Sequence, residues 1–309
     1  MDKIEVEGIK NLKGNIQISG SKNSSLPILA STLLIDDEMV KSNIPNLSDI
    51  KFMIKILESL GSKVNFKDSI CQIKSSQPRN LKISYELVRK MRASFLILGP
   101  LLTKYGYAEV SLPGGCAIGT RPVDLHISAL EKMGAEFIIE DGYIKGKVKG
   151  RLKGCEITLK KISVGATENI IMAATLADGE TIIKNAAREP EISDLSNFLV
   201  NAGAEIMGYG TNVIKIKGKK RLRGCEFSVM PDRIEAGTYA LCVMGCSGNI
   251  ILENVNDLIC NHLKKIFKPL NVLFLSKKDN GKKLVIKRTN KFQNNVTIST
   301  KEFPGFPTD

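Results

Sequence analysis

One thiol stands where it could act as an acid or a nucleophile: Cys116, in the run Ser111-Leu112-Pro113-Gly114-Gly115-Cys116-Ala117-Ile118-Gly119-Thr120-Arg121-Pro122-Val123-Asp124-Leu125-His126. Pro113, Gly114, Gly115 and Gly119 exclude helix and central strand, so the cysteine is expected on a flexible loop. From Arg121 the pattern changes. Thr120 can cap, Pro122 suits the first helical position, and Val123, Ile127, Leu130 and Met133 recur at helical spacing until Gly134. A thiol beside a helix start flanked by Arg121 is in a place that favours anions. From spacing alone, the same run also reads as a hairpin loop with an incidental cysteine.

Three other stretches pair small polar residues with a cation. In Ser19-Gly20-Ser21-Lys22-Asn23-Ser24-Ser25-Leu26-Pro27 a Gly/Ser turn opens a helix, with Pro27 expected in its first turn and Lys22 at its positive end; an ordinary cap with a solvated lysine fits equally. Arg92, in Val88-Arg89-Lys90-Met91-Arg92-Ala93-Ser94, reads as the surface of an amphipathic helix. Lys161-Ile162-Ser163-Val164-Gly165-Ala166-Thr167-Glu168 again sets small residues before an apolar helix, Ile170 to Ala177.

The Cys116 run closely resembles the cysteine loop of the UDP-N-acetylglucosamine 1-carboxyvinyltransferases, members of the enolpyruvyl transferase family, and the resemblance spans essentially all 309 residues. It implies transfer of the enolpyruvyl group of phosphoenolpyruvate to the 3′-hydroxyl of UDP-N-acetylglucosamine with release of phosphate, the first committed step of peptidoglycan synthesis. On that resemblance Lys22 and Asn23 bind phosphoenolpyruvate, with Ser24-Ser25 in place of the more usual Ala-Ala. Arg92 contacts substrate, while Arg121, Pro122, Val123, Asp124, Leu125, Lys161, Ser163 and Val164 hold the sugar nucleotide. Cys116 is the acid, forms an adduct with phosphoenolpyruvate and is the target of fosfomycin. Asp309, the final residue, matches the carboxylate that takes the hydroxyl proton. Lys22, Cys116 and Asp309 are thus the expected catalytic set, and no cofactor is implied. Enolpyruvylshikimate phosphate synthase shares fold and donor, but the Cys116 loop and Arg121 to His126 favour the amino-sugar nucleotide.

The elements that must position these residues repeat. Gly14, Gly154 and Gly224 each follow a Leu-Lys or Leu-Arg pair, and Gly61, Gly134 and Gly203 each end a helical pattern; both markers give a unit of about 70 residues. Within a unit the expected order is strand, helix, strand, Ser/Asp-capped helix, then a strand pair. Ser48-Asp49 to Leu60 and Ser193 to Ala202 exemplify the capped helix. Ala187-Arg188-Glu189-Pro190-Glu191 reads as a structural turn. The expected fold is α/β, an enolpyruvyl transferase-like inside-out α/β barrel built from these repeats. The resemblance implies one domain at 21–230, with three repeats, and a partial second domain from 1–20 and 231–309. Six units of about 70 residues exceed 309, so the second domain is expected to be incomplete. Glu302 to Asp309 reads as an extended connector punctuated by Pro304 and Pro307. A catalytically inactive remnant that binds the sugar nucleotide weakly, or a chain needing a complementing C-terminal fragment, is the alternative expectation.

Composition excludes other classes. With 43% hydrophobic and 25% charged residues, disorder is not expected. No apolar run approaches the roughly 18 residues of a membrane span, and Asp2 and Glu5 spoil a signal peptide, so a cytoplasmic protein without membrane partners is expected. The net charge of +13 comes from scattered lysines without a nucleic-acid-binding motif, which points to anionic small molecules. Seven cysteines at irregular spacings read as reduced thiols. With only His126 and His262 to join them, Cys242 and Cys246 read as small buried hydrophobes, not zinc ligands.

Overall fold

The computed structural model describes residues 3–78, 80–88, 92–111, 123–270, 272–277, 282–289, 295 and 297–307, with the backbone alone at Arg92 and Lys277. It divides into two compact units, one of residues 1–20 and 231–309 and the other of residues 21–230.

The chain opens with β1 (Leu12–Gln17), α1 (Lys22–Ser31), β2 (Met39–Ser42), α2 (Ser48–Ser59), β3 (Lys63–Lys67) and β4 (Ile70–Lys74). It continues through β5 (Lys82–Ile83), α3 (Tyr85–Val88), a 3-10 helix at Arg92–Ile97, α4 (Leu98–Tyr105), β6 (Tyr107–Ser111), α5 (Asp124–Lys132), β7 (Ala135–Glu140) and β8 (Tyr143–Val148). Next come β9 (Glu156–Thr158), α6 (Val164–Ala174), β10 (Glu180–Lys184), α7 (Pro190–Asn201), β11 (Glu205–Met207), β12 (Val213–Lys217) and β13 (Glu226–Ser228). The last stretch holds α8 (Arg233–Cys246), β14 (Gly248–Glu253), α9 (Asp257–Ile266), β15 (Val272–Lys277) and β16 (Lys283–Arg288).

These strands form four sheets of one design: β13-β2-β4-β3, β5-β6-β8-β7, β9-β10-β12-β11 and β1-β14-β16-β15. In each, the first two strands are parallel and the rest antiparallel. A parallel pair requires a helical crossover, which is why a helix lies between its strands in every unbroken repeat. Two sheets take their first strand from far along the chain. β1 precedes α1 in sequence yet pairs with β14, and β13 precedes α8 yet pairs with β2.

The repeat is visible at single residues. Gly61, Gly134 and Gly203 follow α2, α5 and α7 with φ of +92°, +98° and +99°, a conformation that stops a helix and that only glycine adopts without strain. A second marker escapes the sequence reading. Asn43, Asn185 and Asn254 follow β2, β10 and β14 with φ between +52° and +58°. Each donates its side-chain amide to a carbonyl just beyond the neighbouring parallel strand: Val229, Leu159 and Ile18, at 2.8, 2.9 and 2.7 Å.

In the 21–230 unit the apolar helices lie inside and the sheets outside. α1 is buried from Ser24 to Ser31 and α6 from Ala166 to Ala174. The outer faces of β3 and β4 alternate exposed and covered residues. α4 lies on α6, where Thr103 Oγ1 donates to the Ala173 carbonyl at 2.8 Å. The other unit has its own core of Ile18, Ala240, Val243, Leu252, Ile259, Leu263, Phe267, Leu284 and Ile286.

One buried cation belongs to the sheet. Lys41 on β2 is fully covered; its ammonium donates to the Cys225 carbonyl at 3.0 Å and lies 4.2 Å over the Phe198 ring. Burial pulls its pKa down to about 8. Cys71, its cross-strand partner on β4, is pushed up to about 12 by burial.

Several local expectations change. Pro27 lies in the second turn of α1, not the first, where it removes the amide that would bond the Asn23 carbonyl. α2 begins at Ser48 with Leu47 in the cap position, so no Ser or Asp side chain caps it. α7 begins at Pro190, three residues before Ser193, because proline needs no amide partner at a helix start; the expected turn therefore supplies the first turn of a helix. The described part of the helix after the cysteine loop begins at Asp124 with Val123 in the cap position; Thr120 and Pro122 lie outside the described residues. Cys242 is exposed and Cys246 half-buried, since α8 turns that side away from its own sheet. The 301–306 stretch is a tight turn, not an extended connector. Its ends meet through Lys301 N–H to the Phe306 carbonyl at 2.9 Å, and the Phe306 ring stands edge-on to Phe267 at 5.5 Å.

Candidate active site

Two inner helices open with serine caps. Ser21 Oγ accepts the Ser24 amide at 3.3 Å and Ser163 Oγ accepts the Ala166 amide at 3.3 Å. Past these first turns both helices are buried, so only their N-terminal residues can meet a solute. At α1 these are half-buried Lys22 and exposed Asn23; at α6 they are exposed Lys161 and half-buried Ser163 and Val164. Helix N-termini carry unsatisfied amides and positive potential, which suits phosphate and carboxylate groups. Lys22 Nζ is 3.2 Å from Asp49 Oδ2, in the first turn of α2, so an anion taken up by Lys22 competes with that carboxylate.

Val123, Asp124 and Leu125 open α5, with Asp124 exposed and the other two half-buried. They are joined to the start of α6 by His126 and Asn169. The Gly99 amide donates to Asn169 Oδ1 at 2.6 Å, which fixes the orientation of the side-chain amide. Asn169 Nδ2 then donates to the Phe95 carbonyl and meets His126 Nδ1, both at 3.0 Å. With a donor opposite Nδ1, the bond requires neutral His126 with its proton on Nε2. Phe95 stands edge-on to the imidazole at 5.2 Å, and a side chain at Gly165 would lie 3.3 Å from its Cε1. The network thus ties α5, α6 and the segment that begins at Arg92.

In the other three repeats the link from the second strand to the following helix runs over residues 43–47, 185–189 and 254–256; in the repeat that carries the cysteine run, described β6 ends at Ser111 and described α5 begins at Asp124. Cys116, Arg121, Pro122 and Asp309 lie outside the described residues, as does the Arg92 side chain. Of the expected residues, the described ones fall at the openings of α1, α5 and α6, all within the 21–230 unit.

Sequence reasoning missed a group of buried carboxylates beside these openings. Glu168 on α6 is held well above the usual carboxylate range by burial, and further by Glu191 and Glu189. Glu189 Oε2 is buried with no hydrogen-bond partner among the described residues. Asp194 on α7 is pushed up to about 6 by burial, against hydrogen bonds from Ser24 and Met230. The available signal was Glu189-Pro190-Glu191 itself, two acids around a helix-initiating proline; nothing in it announced burial. No cluster of the described His, Cys, Asp and Glu residues could hold a metal ion, and no described helix is long and apolar enough to cross a membrane.

A family model described as EPSP synthase (3-phosphoshikimate 1-carboxyvinyltransferase) matches residues 6–309. Proteins named UDP-N-acetylglucosamine 1-carboxyvinyltransferase from Granulibacter bethesdensis and Shewanella sediminis are each 47% identical to this chain, over 100% of it and 73% of their own length. The protein of that name from Coxiella burnetii is 46% identical, over 100% of this chain and 71% of its own. Among solved structures, the enolpyruvyl transferase NikO from Streptomyces tendae superposes with a TM-score of 0.83 at 16% identity, over 97% of this chain and 71% of its own. EPSP synthase from Acinetobacter baumannii gives 0.75 at 17% identity, over 93% and 67%. At such identities the structural matches speak for the fold.

Proposed function

We propose that this chain, which belongs to the EPSP synthase family of enolpyruvyl transferases, transfers the enolpyruvyl group of phosphoenolpyruvate to the 3′-hydroxyl of UDP-N-acetylglucosamine and releases phosphate. The observation that carries this reading is the 46–47% identity, over the whole chain, to proteins bearing the name of that activity.

The chemistry needs a proton at the methylene carbon of phosphoenolpyruvate, removal of the proton from the attacking hydroxyl, and counter-charge for carboxylate and phosphate. Lys22 and Asn23 at the opening of α1 take the donor, together with Arg92. Cys116 delivers the proton to carbon. Arg121, Pro122, Val123, Asp124 and Leu125 at α5, with Lys161, Ser163 and Val164 at α6, take the sugar nucleotide. Asp309 receives the hydroxyl proton. Lysine, arginine and helix N-termini supply the positive charge, and no cofactor enters.

In this reading residues 21–230 are the first enolpyruvyl transferase domain, with three repeats, and residues 1–20 and 231–309 are part of the second. The setting is cytoplasmic peptidoglycan synthesis, which makes Cys116 a target for fosfomycin and links the chain to cell-wall growth and division.

The test is phosphate release by the purified chain given phosphoenolpyruvate with and without UDP-N-acetylglucosamine. Release that requires both and is blocked by fosfomycin is the expected result. Folded protein that binds UDP-N-acetylglucosamine and releases nothing supports a binding remnant, or a chain that requires a complementing C-terminal fragment.

A further inference from the structure

We infer that Asp194 is a positioning residue for Lys22 and Asn23, holding the first turn of α1 in place from the neighbouring helix α7. The inference rests on the proposed role of those two residues in binding phosphoenolpyruvate.

The opening of α1 has its own bonds: the Ser24 amide donates to Ser21 Oγ at 3.3 Å, and the Ser25 amide and hydroxyl donate to the Ser21 carbonyl at 2.9 and 2.7 Å. Pro27 removes one intrahelical bond from its first turns, the one that would end on the Asn23 carbonyl. The turn is also held from outside. Ser21 N–H donates to the Met230 carbonyl at 2.8 Å, tying the cap residue to the segment that leaves β13. The Met230 amide donates in turn to Asp194 Oδ2 at 3.1 Å, and Ser24 Oγ–H donates to that same oxygen. Asp194, Met230, Ser21 and Ser24 therefore close a ring of hydrogen bonds around Lys22 and Asn23, and one carboxylate oxygen is the junction where two of the bonds end.

A carboxylate is the suitable group for that junction. Asp194 is 9% exposed, and a buried anion is retained only where donors face it. An ionised oxygen accepts two charge-assisted bonds at once, whereas an oxygen carrying a proton gives up part of that capacity. The groups acting on Asp194 are the Ser24 hydroxyl from α1, the Met230 amide from the end of β13 and Glu191 from its own helix; burial and Glu191 raise its pKa to about 6. Acid therefore weakens the junction within an accessible pH range.

The experiment compares wild type with Ser24→Ala, Asp194→Asn and Asp194→Ala in the full chain, reading steady-state phosphate release and amide hydrogen exchange over residues 21–26. The expected result is an increase of about tenfold in KM for phosphoenolpyruvate in Ser24→Ala and Asp194→Ala, with kcat and the KM for UDP-N-acetylglucosamine changed by less than about twofold. Asp194→Asn, which keeps an acceptor of the same shape, restores most of the affinity at pH 8. The ratio of wild-type to Asp194→Asn kcat/KM for phosphoenolpyruvate bends near pH 6. Exchange at 21–26 accelerates in Ser24→Ala and Asp194→Ala while the interior of α6 is unchanged. If Asp194→Ala does not fold, Ser24→Ala and Asp194→Asn decide. Equal losses for both substrates, or unaltered exchange at 21–26 in Ser24→Ala, overturn the inference. A chain that releases no phosphate but exchanges faster at 21–26 in Ser24→Ala keeps the positioning role and removes the functional reading on which it was built.

Discussion

Lys41 sets up a stability experiment whose sign reverses with pH. Its amine is fully buried on β2 and its pKa lies near 8, against 10.5 for a free lysine. A base with a depressed folded-state pKa contributes stability that is present above the unfolded value and is lost as pH falls through the folded one. At pH 7 the charge is retained in both states, and the fold bears a cost of about 3 kcal/mol for holding it, at roughly 1.4 kcal/mol per pH unit. Lys41→Met keeps the length of the side chain and removes that cost. It also leaves the Cys225 carbonyl without its 3.0 Å donor, worth about 1–2 kcal/mol. The net expectation is that the variant is more stable than wild type by about 1–2 kcal/mol at pH 7. Near pH 10.5 the wild-type amine is neutral, the cost is gone, and the variant becomes the less stable protein by about 1–2 kcal/mol. Cys71 stays protonated in both folded proteins, so its titration cancels in the difference. The chain has no tryptophan, so urea unfolding is best followed by far-ultraviolet circular dichroism at the two pH values, scoring the transition of the 21–230 unit. A variant less stable than wild type at pH 7, by an amount that does not change at pH 10.5, refutes the reasoning.

Other outcomes follow from the same geometry. Cys116→Ala should abolish phosphate release while leaving binding of UDP-N-acetylglucosamine intact by calorimetry; unchanged release removes the thiol from the mechanism. His126→Phe breaks the contact with Asn169 and should raise the KM for UDP-N-acetylglucosamine by about tenfold with little change in kcat, since roughly 1–2 kcal/mol of anchoring at α5 and α6 is lost; steady-state kinetics with each substrate varied will show it. Asn185→Ala loses both the hydrogen bond to the Leu159 carbonyl and a residue that tolerates positive φ, and should cost about 2 kcal/mol in urea unfolding. Asp194 is an acid with a raised folded-state pKa, so its contribution is fully present below pH about 4 and is lost as pH rises through about 6. Asp194→Asn should flatten the pH dependence of stability over that window by about 2–3 kcal/mol.

What sequence made legible was the skeleton of the repeat. Gly61, Gly134 and Gly203 stand at helix ends because no other residue takes their φ without strain, so their spacing reports topology directly. Asn43, Asn185 and Asn254 carry the same information but are hidden among asparagines that mark ordinary turns; only the recurring bond across the parallel strands sets them apart. The openings of α1 and α6 could be read because a serine cap precedes an apolar run. Burial of charge could not. Lys41, Glu168, Glu189 and Asp194 look like surface residues in a chain that is one quarter charged, and their covering comes from strands and helices distant in sequence. For the same reason Cys242 was misjudged. Its spacing to Cys246 fixes a shared helix face but not which face the sheet covers.

The exchange of first strands between sheets and helices has a consequence for how the chain is made. β1 leaves the ribosome well before its partner, which begins at Gly248; at 5–20 residues per second it waits unpaired for on the order of 10 s or more. β2 waits likewise for β13. The β5-β6-β8-β7 sheet draws all four strands from one continuous stretch and can close during synthesis, giving the later strands a surface to assemble on. Birth order and closing order are therefore opposed for β1: it is made before the β5-β6-β8-β7 sheet and paired after it. A stalled or early-released nascent chain would carry β1 as an open edge, the part most exposed to mispairing with its neighbours on the same message.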